Sequence, residues 1–250
     1  MFLACDVGNS LIKIGVFKND KLIEHIKIIP EKLDVGIFAE YDISGAAVSS
    51  VNKKSSSKII DLITENFGVI PFEISTSKKL NLKLDYETPE TLGIDRICGA
   101  EGAFYIFRKS EKEYTNDDFI ISIDFGTATT FNLVKYDGVF TGGLIAPGIS
   151  MMSHSLSSET AQLPEVNLND FTSTIGKSTK SSIASGIINA TLGMINSVLD
   201  QLDKENSAAK FHIFITGGNA GKILPHLNFS YSYQPALVLY GIKSIYGKNR

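Results

Sequence analysis

Short apolar runs, separated by polar or glycine-containing turns, open the chain. The first three runs follow one another so closely that tight turns must join them, which predicts an antiparallel meander. Apolar residues at helical spacing follow, between two further strand-like runs. This order is typical of a mixed α/β layer. The predicted strands are Phe2–Cys5, Leu11–Phe17, Leu22–Ile29, Ile43–Val51 and Val69–Ile74, and the predicted helices are a short one within Pro30–Tyr41 and a longer one at Ser56–Phe67.

The same pattern begins again in the second half of the chain. A helix predicted over Gly93–Phe107 is followed by the polar and charged stretch Lys109–Asp118, which is the best candidate for a linker. After it come three strand-like runs joined by short turns, then a long helix, a strand and a final helix. The predicted elements are the strands Phe119–Ile123, Thr129–Val134 and Val139–Ala146, the helix Ser181–Leu202, the strand Phe211–Thr216 and the helix Ala236–Tyr246.

In each half, the first strand ends in an aspartate, any residue and a glycine. Asp6 and Asp124 hold equivalent places in the two patterns and lie 118 residues apart, close to half of the 250-residue chain. Two similar β-hairpins can arise by coincidence, but the shared acid at the same place favours a duplicated architecture. The prediction is therefore two similar domains, residues 1–114 and 115–250, each presenting an Asp-x-Gly hairpin.

Composition and charge exclude several classes of protein. Lys and Arg number 24 and Asp and Glu 27, a formal net charge of −3, which gives nucleic acid no general reason to bind. The apolar fraction of 43% is typical of a folded globular protein. No run approaches the ~18 apolar residues of a membrane span, and Met1–Asp6 lacks the basic start of a signal peptide. We expect a cytoplasmic protein without a membrane partner, in which Cys5 and Cys98 are reduced core residues.

The residues of both hairpins are suited to binding phosphate. In the first, Gly8 allows close approach to the backbone, and Asn9 and Ser10 supply side-chain donors. Lys13, on the next strand, adds a positive charge. The second hairpin repeats this design with three threonines after Asp124. Two such hairpins facing each other across a cleft would cradle a polyphosphate and leave two carboxylates for a cation.

A loop containing proline and glycine leads to a second group of candidate residues. Asp95 and Arg96 lie next to each other at the predicted start of a helix, just after Gly93. One interpretation is that Asp95 is an ordinary helix cap. The other is that Asp95 accepts the proton of a hydroxyl that attacks phosphorus while Arg96 holds a carboxylate. Both side chains would then project from one helix end.

Other motifs are weaker. Gly217-Gly218 follows an apolar strand and indicates either a tight turn or a close approach to a nucleotide. Phe171–Ser178 resembles a P-loop, but it begins with Phe where that motif needs Gly and no strand precedes it, so a P-loop is excluded. The four histidines have no metal-binding spacing.

Together and in this order, the motifs make the chain resemble the type III pantothenate kinases, in the superfamily of acetate and sugar kinases, Hsp70-type chaperones and actin. The resemblance implies an α/β fold with the actin-like ATPase architecture: two similar ribonuclease H-like domains, each a mixed β-sheet flanked by helices, with a central cleft. Ser10 stands where threonine is usual, which keeps the hydroxyl. The matching positions are Asp6-Val7-Gly8-Asn9-Ser10, Tyr86, Pro89, Gly93-Ile94-Asp95-Arg96, Asp124-Phe125-Gly126-Thr127-Ala128-Thr129-Thr130, Gly142-Gly143, Pro147-Gly148, Gly176-Lys177-Ser178-Thr179, Ser185-Gly186 and Thr216-Gly217-Gly218.

The resemblance also implies an activity: ATP-dependent phosphorylation of pantothenate to 4′-phosphopantothenate, the first step of coenzyme A biosynthesis, by in-line transfer. Asp95 would be the general base. Magnesium would accompany ATP, and Asp124 would bind a monovalent cation, potassium or ammonium. Thr179 would reach pantothenate in the neighbouring subunit of a homodimer. The implied pantothenate-binding residues are Tyr86, Gly93, Ile94, Asp95 and Arg96, and the implied ATP-binding residues are Asp6, Val7, Gly8, Asn9, Ser10, Leu11, Ile12, Lys13 and Thr127.

The residues by themselves leave other functions open. Another kinase or phosphatase of the same architecture, such as a sugar kinase or a polyphosphate hydrolase, would use similar hairpins, because fold alone does not fix the substrate. A dimeric nucleotide-binding regulator without catalysis is a second alternative, although retention of Asp6, Asp95 and Asp124 argues against it. A protein that polymerises like actin is a third, disfavoured because 250 residues leave no room for extra subdomains.

Overall fold

The computed structural model of the chain describes residues 1–110, 114–171, 173–207 and 209–250. Eleven strands and six α-helices alternate along these residues, with short 3-10 turns between some of them. In chain order they are β1 (Phe2–Val7), β2 (Ile12–Lys18), β3 (Lys21–Ile28), β4 (Gly45–Ser50), α1 (Lys53–Phe67), β5 (Phe72–Glu73), β6 (Lys83–Leu84), α2 (Ile94–Lys109), β7 (Phe119–Phe125), β8 (Ala128–Lys135), β9 (Val139–Pro147), α3 (Ile149–Ser158), α4 (Thr179–Glu205), β10 (Phe211–Thr216), α5 (Ala220–Ile223), β11 (Ser232–Tyr233) and α6 (Leu237–Lys248).

The chain folds into two compact units. The first unit consists of Met1–Glu113, Asp137–Gly142 and Ala236–Arg250, and the second of Tyr114–Tyr136 and Gly143–Pro235. The chain first passes from the first unit to the second after residue 113, one residue before the boundary that we expected after residue 114. The last helix, which we grouped with the second half of the sequence, lies in the first unit because its apolar stripe packs on α2.

The sheet of the first unit has the strand order β3-β2-β1-β4-β5. The pairs β1–β2 and β2–β3 are antiparallel, whereas β1–β4 and β4–β5 are parallel. Alternate residues of a strand face the same side of its sheet. Leu3, Cys5 and Val7 of β1 accordingly share one face and pack in one apolar cluster with Ile59 and Ile63 of α1. This register puts Asp6 opposite Lys13 on one neighbour and Ser49 on the other, which fixes the surroundings of the first candidate acid.

The sheet of the second unit repeats this arrangement. Its strands run in the order β11-β10-β7-β8-β9, with β7–β8 antiparallel and both β7–β10 and β10–β11 parallel, and β6 adds a sixth strand parallel to the start of β9. β7 therefore takes the place of β1, and Asp124 occupies the position in β7 that Asp6 has in β1. The duplicated mixed sheets flanked by helices confirm the α/β fold class.

Two predicted elements of the first unit differ from the structure. The segment Pro30–Tyr41 forms two 3-10 turns instead of a helix: the first ends before Leu33, and Asp34 begins the second by accepting the N–H of Gly36 with its side chain, 2.8 Å away. The strand predicted over Val69–Ile74 shortens to β5, since Pro71 has no N–H to donate to the sheet. Cys5 and Cys98 are buried and free, as expected.

Helices α2 and α6 pack so tightly that their backbones touch. Residues 96–103 of α2 are all buried. A Cβ atom on Gly241 of α6 would overlap the carbonyl oxygen of Cys98, and one on Gly102 of α2 would overlap that of Leu237. Only glycine allows this approach, so the pair Gly102 and Gly241 fixes the position of the helix that carries Asp95 and Arg96.

One described helix, α4, is long and apolar enough to cross a membrane by length and composition alone, with a mean hydropathy of 1.4 over 18 residues. Core helices satisfy the same criterion. Its buried residues belong to the apolar core of the second unit, and they include Ile183, Ile187, Ile188 and Ile195.

The buried carboxylate of Asp118, just before β7, predicts acid-sensitive stability. Asp118 accepts hydrogen bonds from Thr115 at 2.7 Å and from the His212 ring at 2.8 Å. Desolvation raises the pKa of Asp118, but these hydrogen bonds outweigh it and hold the pKa below the ordinary 3.8. A carboxyl with a lowered pKa stabilises the fold above its unfolded pKa, and this contribution disappears as pH falls through the folded value.

We therefore expect Asp118→Asn to lower the free energy of unfolding by about 1.5–3 kcal/mol at pH 7. The difference from the wild-type chain should shrink as pH falls from 5 to 3, as measured by thermal melting across that range. Asp117→Asn, at the exposed neighbouring carboxyl, is the control and should change little. An equal destabilisation at pH 7 and pH 3 would contradict the role of the ionised carboxylate.

Candidate active site

The first hairpin turns sharply between β1 and β2. The N–H of Gly8 donates to the carbonyl oxygen of Leu11 at 3.0 Å, which closes the turn. Asn9 and Ser10 are exposed at its tip, whereas Val7 and Ile12 on either side are buried. The buried flanks hold the turn rigidly and leave its polar donors accessible, which suits a phosphate-binding loop.

Asp6 and Lys13 form an ion pair at the base of this hairpin. Lys13 Nζ lies 3.2 Å from Asp6 Oδ2, and both side chains are mostly buried. Burial raises the pKa of Asp6, the Lys13 ammonium opposes that rise, and the negative charge of Asp95 adds to it. The negative charge of Asp95 therefore acts on Asp6 within the first unit, and a cation beside Asp6 would offset both this repulsion and the cost of burial.

These acids fit a magnesium ion that arrives with a nucleotide. Within the described residues, no group of three or more His, Cys, Asp or Glu side chains is arranged to hold a metal. Magnesium retains most of its waters and is commonly held by one or two carboxylates plus substrate phosphates. Asp6 and Asp95 match that requirement.

Asp95 lies in the first turn of α2 and is exposed. The N-cap is Gly93, so Asp95 is not the cap residue. One carboxylate oxygen accepts the N–H of Arg96 at 2.9 Å. A Cβ on Gly93 would come within 2.6 Å of that oxygen, so the glycine makes room for the carboxylate. The arrangement orients Asp95 and leaves it open to a ligand.

Arg96, in contrast to the exposed Asp95, is buried in an aromatic pocket of the first unit. It is 5% exposed, and its guanidinium lies 5.9 Å from the ring centre of Tyr86 and 5.8 Å from that of Phe140. The two rings contact each other edge to face, with centres 6.0 Å apart. Aromatic faces attract a guanidinium. Sequence reasoning found Tyr86 and Arg96 but missed Phe140, which is 44 residues from Arg96 and carries no local signal.

The second hairpin surrounds Asp124 with hydroxyl-bearing residues. Asp124 is opposite Thr130 in β8 and Thr216 in β10, and both threonines are buried. The N–H of Gly126 donates to the carbonyl oxygen of Ala128 at 3.1 Å, and Thr127 is exposed at the tip. Carboxylate and hydroxyl oxygens are the ligands that hard cations prefer, so this site is compatible with a monovalent cation.

Three backbone contacts fix that hairpin in place. The N–H of Gly148 donates to the carbonyl oxygen of Thr127 at 3.1 Å, and the N–H of Asn219 donates to that of Phe125 at 2.9 Å. Gly217 has a φ of +107° and approaches the backbone of Phe125 so closely that a Cβ would overlap it. Gly217 thus serves the tight turn, whereas Gly218 has open space beside it. Of the two glycines, only Gly218 therefore has room beside it for the close approach of a nucleotide.

Thr179 is the first residue of α4 and is exposed. Ser178 caps the helix by accepting the N–H of Ser181, and the side chain of Ser181 accepts the N–H of Ser178 in return. Thr179 lies at the edge of an apolar groove of about 860 Å³ between α3 and α4. The other lining residues are Pro147, Met151, Met152, Ser155, Leu156, Leu163, Ser182, Ile183, Gly186, Ile187 and Ala190.

The candidate residues thus form two groups. The first unit brings together the Asp6–Lys13 hairpin, Tyr86 and Gly93–Arg96. The second unit holds Asp124, Thr127 and Thr179, with Thr127 beside Asp124 and Thr179 on a separate helix end.

Known proteins are similar to this chain in sequence and in fold. The sequence model of the type III pantothenate kinase family matches residues 2–201. The type III pantothenate kinase of Sulfurihydrogenibium sp. (strain YO3AOP1) is 33% identical over 256 residues, which cover 97% of this chain and 98% of that one.

Solved structures agree at the level of the fold. A Baf family protein from Campylobacter jejuni has a TM-score of 0.58 at 20% identity and covers 99% of this chain and 98% of its own. A ROK family glucokinase from Streptomyces griseus, solved with glucose and AMPPNP, has a TM-score of 0.50 at 11% identity and covers 100% and 99%. The fold is thus the one found in these two solved structures. With the match to the family model and the full-length relative, the chain belongs to the type III pantothenate kinase family, whose members use ATP to phosphorylate pantothenate in coenzyme A biosynthesis.

Proposed function

We propose that this chain transfers the γ-phosphoryl group of ATP directly to the primary hydroxyl of pantothenate, with Asp95 as the general base. The observation that carries the assignment is the exposed carboxylate of Asp95, oriented by the N–H of Arg96 at the start of α2. A base must lie within hydrogen-bond reach of the hydroxyl that it deprotonates. An acid in a first helical turn, open to solvent, can meet that requirement.

Arg96 supplies the counter-charge for the pantothenate carboxylate in this proposal. Its guanidinium packs against the rings of both Tyr86 and Phe140, so little rotational freedom remains to be lost on binding. Tyr86, Gly93 and Ile94 would line the same site. The adjacent positions of Asp95 and Arg96 then set the distance between the reacting hydroxyl and the carboxylate of one substrate.

Asp6 to Lys13 would bind the ATP phosphates, with Thr127 adding a contact. Asn9 and Ser10 offer exposed donors, and Lys13 offers a positive charge already held by Asp6. Magnesium, held by Asp6 with Asp95 nearby, would neutralise charge on the phosphates. The chain's own residues then orient the two substrates in line, which is the larger part of phosphoryl-transfer catalysis.

We also propose that Asp124 binds potassium or ammonium. Its support is the register of the sheet, which places Thr130 and Thr216 directly opposite Asp124 on the two neighbouring strands. A monovalent cation there would hold the second hairpin and Thr127 in one conformation.

A homodimer completes the proposal. The apolar groove beside Thr179 exposes Met151 and Leu156, which are 44% and 36% accessible, and its floor includes the small residues Gly186 and Ala190. A second copy covering this groove would bury these side chains and bring Thr179 towards the partner's pantothenate. The net charge of −3 and the match to an enzyme of coenzyme A biosynthesis support a cytoplasmic location and no role for nucleic acid.

A coupled assay of ADP release tests the proposal. Turnover with Mg-ATP should require pantothenate and should not appear with glucose or N-acetylmannosamine. It should rise at least tenfold when potassium replaces sodium, and Asp124→Ala should remove most of that difference. Equal turnover of Asp124→Ala and wild type in both salts would contradict the cation assignment. Turnover with a sugar and none with pantothenate would contradict the acceptor.

A further inference from the structure

A fully buried carboxylate lies in α2 behind the proposed active site. Glu101 has no exposed surface, although glutamate is almost never fully buried unless it is paired. It lies six residues beyond Asp95 in the same helix, about 9 Å along the axis at a rise of 1.5 Å per residue. No role in the reaction described above involves Glu101, so its burial needs another reason.

Within the part of the chain that the structure describes, Glu101 accepts its hydrogen bonds from two consecutive residues. Oε1 accepts the N–H of Asn81 at 2.6 Å and the N–H of Leu82 at 3.0 Å. Oε2 accepts the side-chain amide of Asn81 at 3.0 Å. The same amide nitrogen also donates to Ser244 of α6 at 3.0 Å. The carboxylate thus anchors one point of the chain to α2.

The anchored point is the start of the loop that carries Tyr86. From Leu82 the chain enters β6, where the N–H of Lys83 donates to the carbonyl oxygen of Gly138 and that of Asp85 donates to Phe140, both at 2.9 Å. It then passes Tyr86 and returns to α2 at Gly93. Both ends of the loop 82–93 are therefore fixed to one helix, by Glu101 at one end and by the peptide chain at the other.

This loop forms one wall around Arg96. Tyr86 and Phe140 both contact the guanidinium, and Phe140 is also the residue whose carbonyl oxygen accepts the N–H of Asp85. A shift at Leu82 would therefore move Tyr86 and disturb the stack that orients Arg96. We expect the effect to be larger at Arg96 than at Asp95, because Arg96 packs on both rings whereas Asp95 is exposed.

We propose that Glu101 is a positioning residue for pantothenate: it holds the base of the Tyr86 loop to α2 and so keeps Tyr86 and Arg96 aligned. This proposal rests on the assignment of those two residues to pantothenate binding. Desolvation raises the pKa of Glu101, and the three donors from Asn81 and Leu82 oppose that rise. The donors thus favour the carboxylate form that the anchor uses.

Steady-state kinetics of two variants at Glu101 test the role first. Glu101→Ala should raise the KM for pantothenate by roughly 10- to 100-fold, because small misplacements of binding groups have effects of that size. The KM for ATP and the kcat at saturating pantothenate should stay within about threefold of wild type. Glu101→Gln should behave almost as wild type, since its amide oxygen still accepts both N–H groups and the Asn81 amide can turn to accept its N–H.

If Glu101→Ala does not fold, the same role can be tested by exchanging the donor and the acceptor between residues 81 and 101. Asn81 is exposed, so Asn81→Asp should fold and place a second carboxylate against Glu101, raising the KM for pantothenate. In the double variant Asn81→Asp with Glu101→Gln, the glutamine amide donates and the new carboxylate accepts, so the contact forms again. The KM for pantothenate should then return to within about threefold of wild type. Hydrogen exchange of residues 81–92 should quicken in Asn81→Asp and recover in the double variant.

Asn249→Ala is the matched control. The Asn249 side chain exchanges two hydrogen bonds with the backbone of Lys79, at 3.1 and 2.8 Å, just before the anchored point. Loosening the chain there leaves the Glu101 anchor intact, so the KM for pantothenate should not change. An equal rise in Asn249→Ala and Asn81→Asp would overturn the proposal, as would no rise in a folded Glu101→Ala.

One further variant separates this proposal from the one on which it rests. If Arg96→Ala leaves the KM for pantothenate unchanged, the assignment of the binding residues fails. If Arg96→Ala raises that KM and the Asn81 and Glu101 variants do not, only the positioning role fails.

Discussion

Replacing Asp95 with asparagine is expected to lower kcat by roughly 10²- to 10⁴-fold, the usual contribution of a general base. The amide cannot accept the proton of the pantothenate hydroxyl. Its oxygen can still accept the N–H of Arg96, and the side chain is exposed, so the fold should be unchanged. The measurement is pantothenate-dependent ADP release, with ATP binding followed by calorimetry to show that the nucleotide site is intact.

Glu90→Gln provides the control for Asp95→Asn. Glu90 is an exposed acid in the 3-10 turn that precedes α2, and it has no place in the proposed mechanism. It should retain near wild-type kcat. If Asp95→Asn also turns over at a near-normal rate, the carboxylate is not the base. If both variants lose activity equally, the loss of activity reflects the removal of a negative charge near the site and not the loss of a general base.

Gly241→Ala is expected to have the largest effect on stability. Its added methyl group would overlap the carbonyl oxygen of Cys98, so α2 and α6 would have to separate along their contact. Overpacking commonly costs 1–3 kcal/mol and sometimes more, and here the obstacle is backbone, so we expect a loss of about 3 kcal/mol or more. Chemical denaturation of the purified chain measures it.

Gly247→Ala, in the same helix, is the matched control. No atom lies within 4 Å of the Cβ that it would add. Alanine favours the helical conformation over glycine by up to about 1 kcal/mol, so this variant should be neutral or slightly stabilising. A similar loss of stability in both variants would point to a general intolerance of α6 to substitution, and against the contact with α2.

The duplicated hairpins show how far sequence patterns reach. Asp6 and Asp124 could be matched because each lies at the end of an apolar strand, before a glycine and a polar turn, and these cues are local. The strands and long helices followed from the spacing of apolar residues for the same reason. The proposal for Asp95 and Arg96 also came from a local cue, two adjacent charged residues at a helix start.

Contacts between segments that are far apart in the sequence could not be predicted, because no local pattern of residues indicates them. Phe140 joins Arg96, and Glu101 joins Asn81, only because the sheet and α2 bring them together. β6 and β11 have two residues each, too few for any periodicity. α3 was missed because serine, which favours turns and caps, occurs five times in its ten residues.

The placement of α6 has a consequence for synthesis of the protein. Its partner α2 ends at residue 109, whereas α6 begins at residue 237. At 5–20 residues per second, the ribosome needs roughly 6–25 s to make the intervening chain. The α2 surface that contains Gly102 stays uncovered throughout, and the first unit closes only after the second has been translated. Nascent chains should therefore become protease-resistant in the second unit first, and chaperones should bind to the waiting α2 surface.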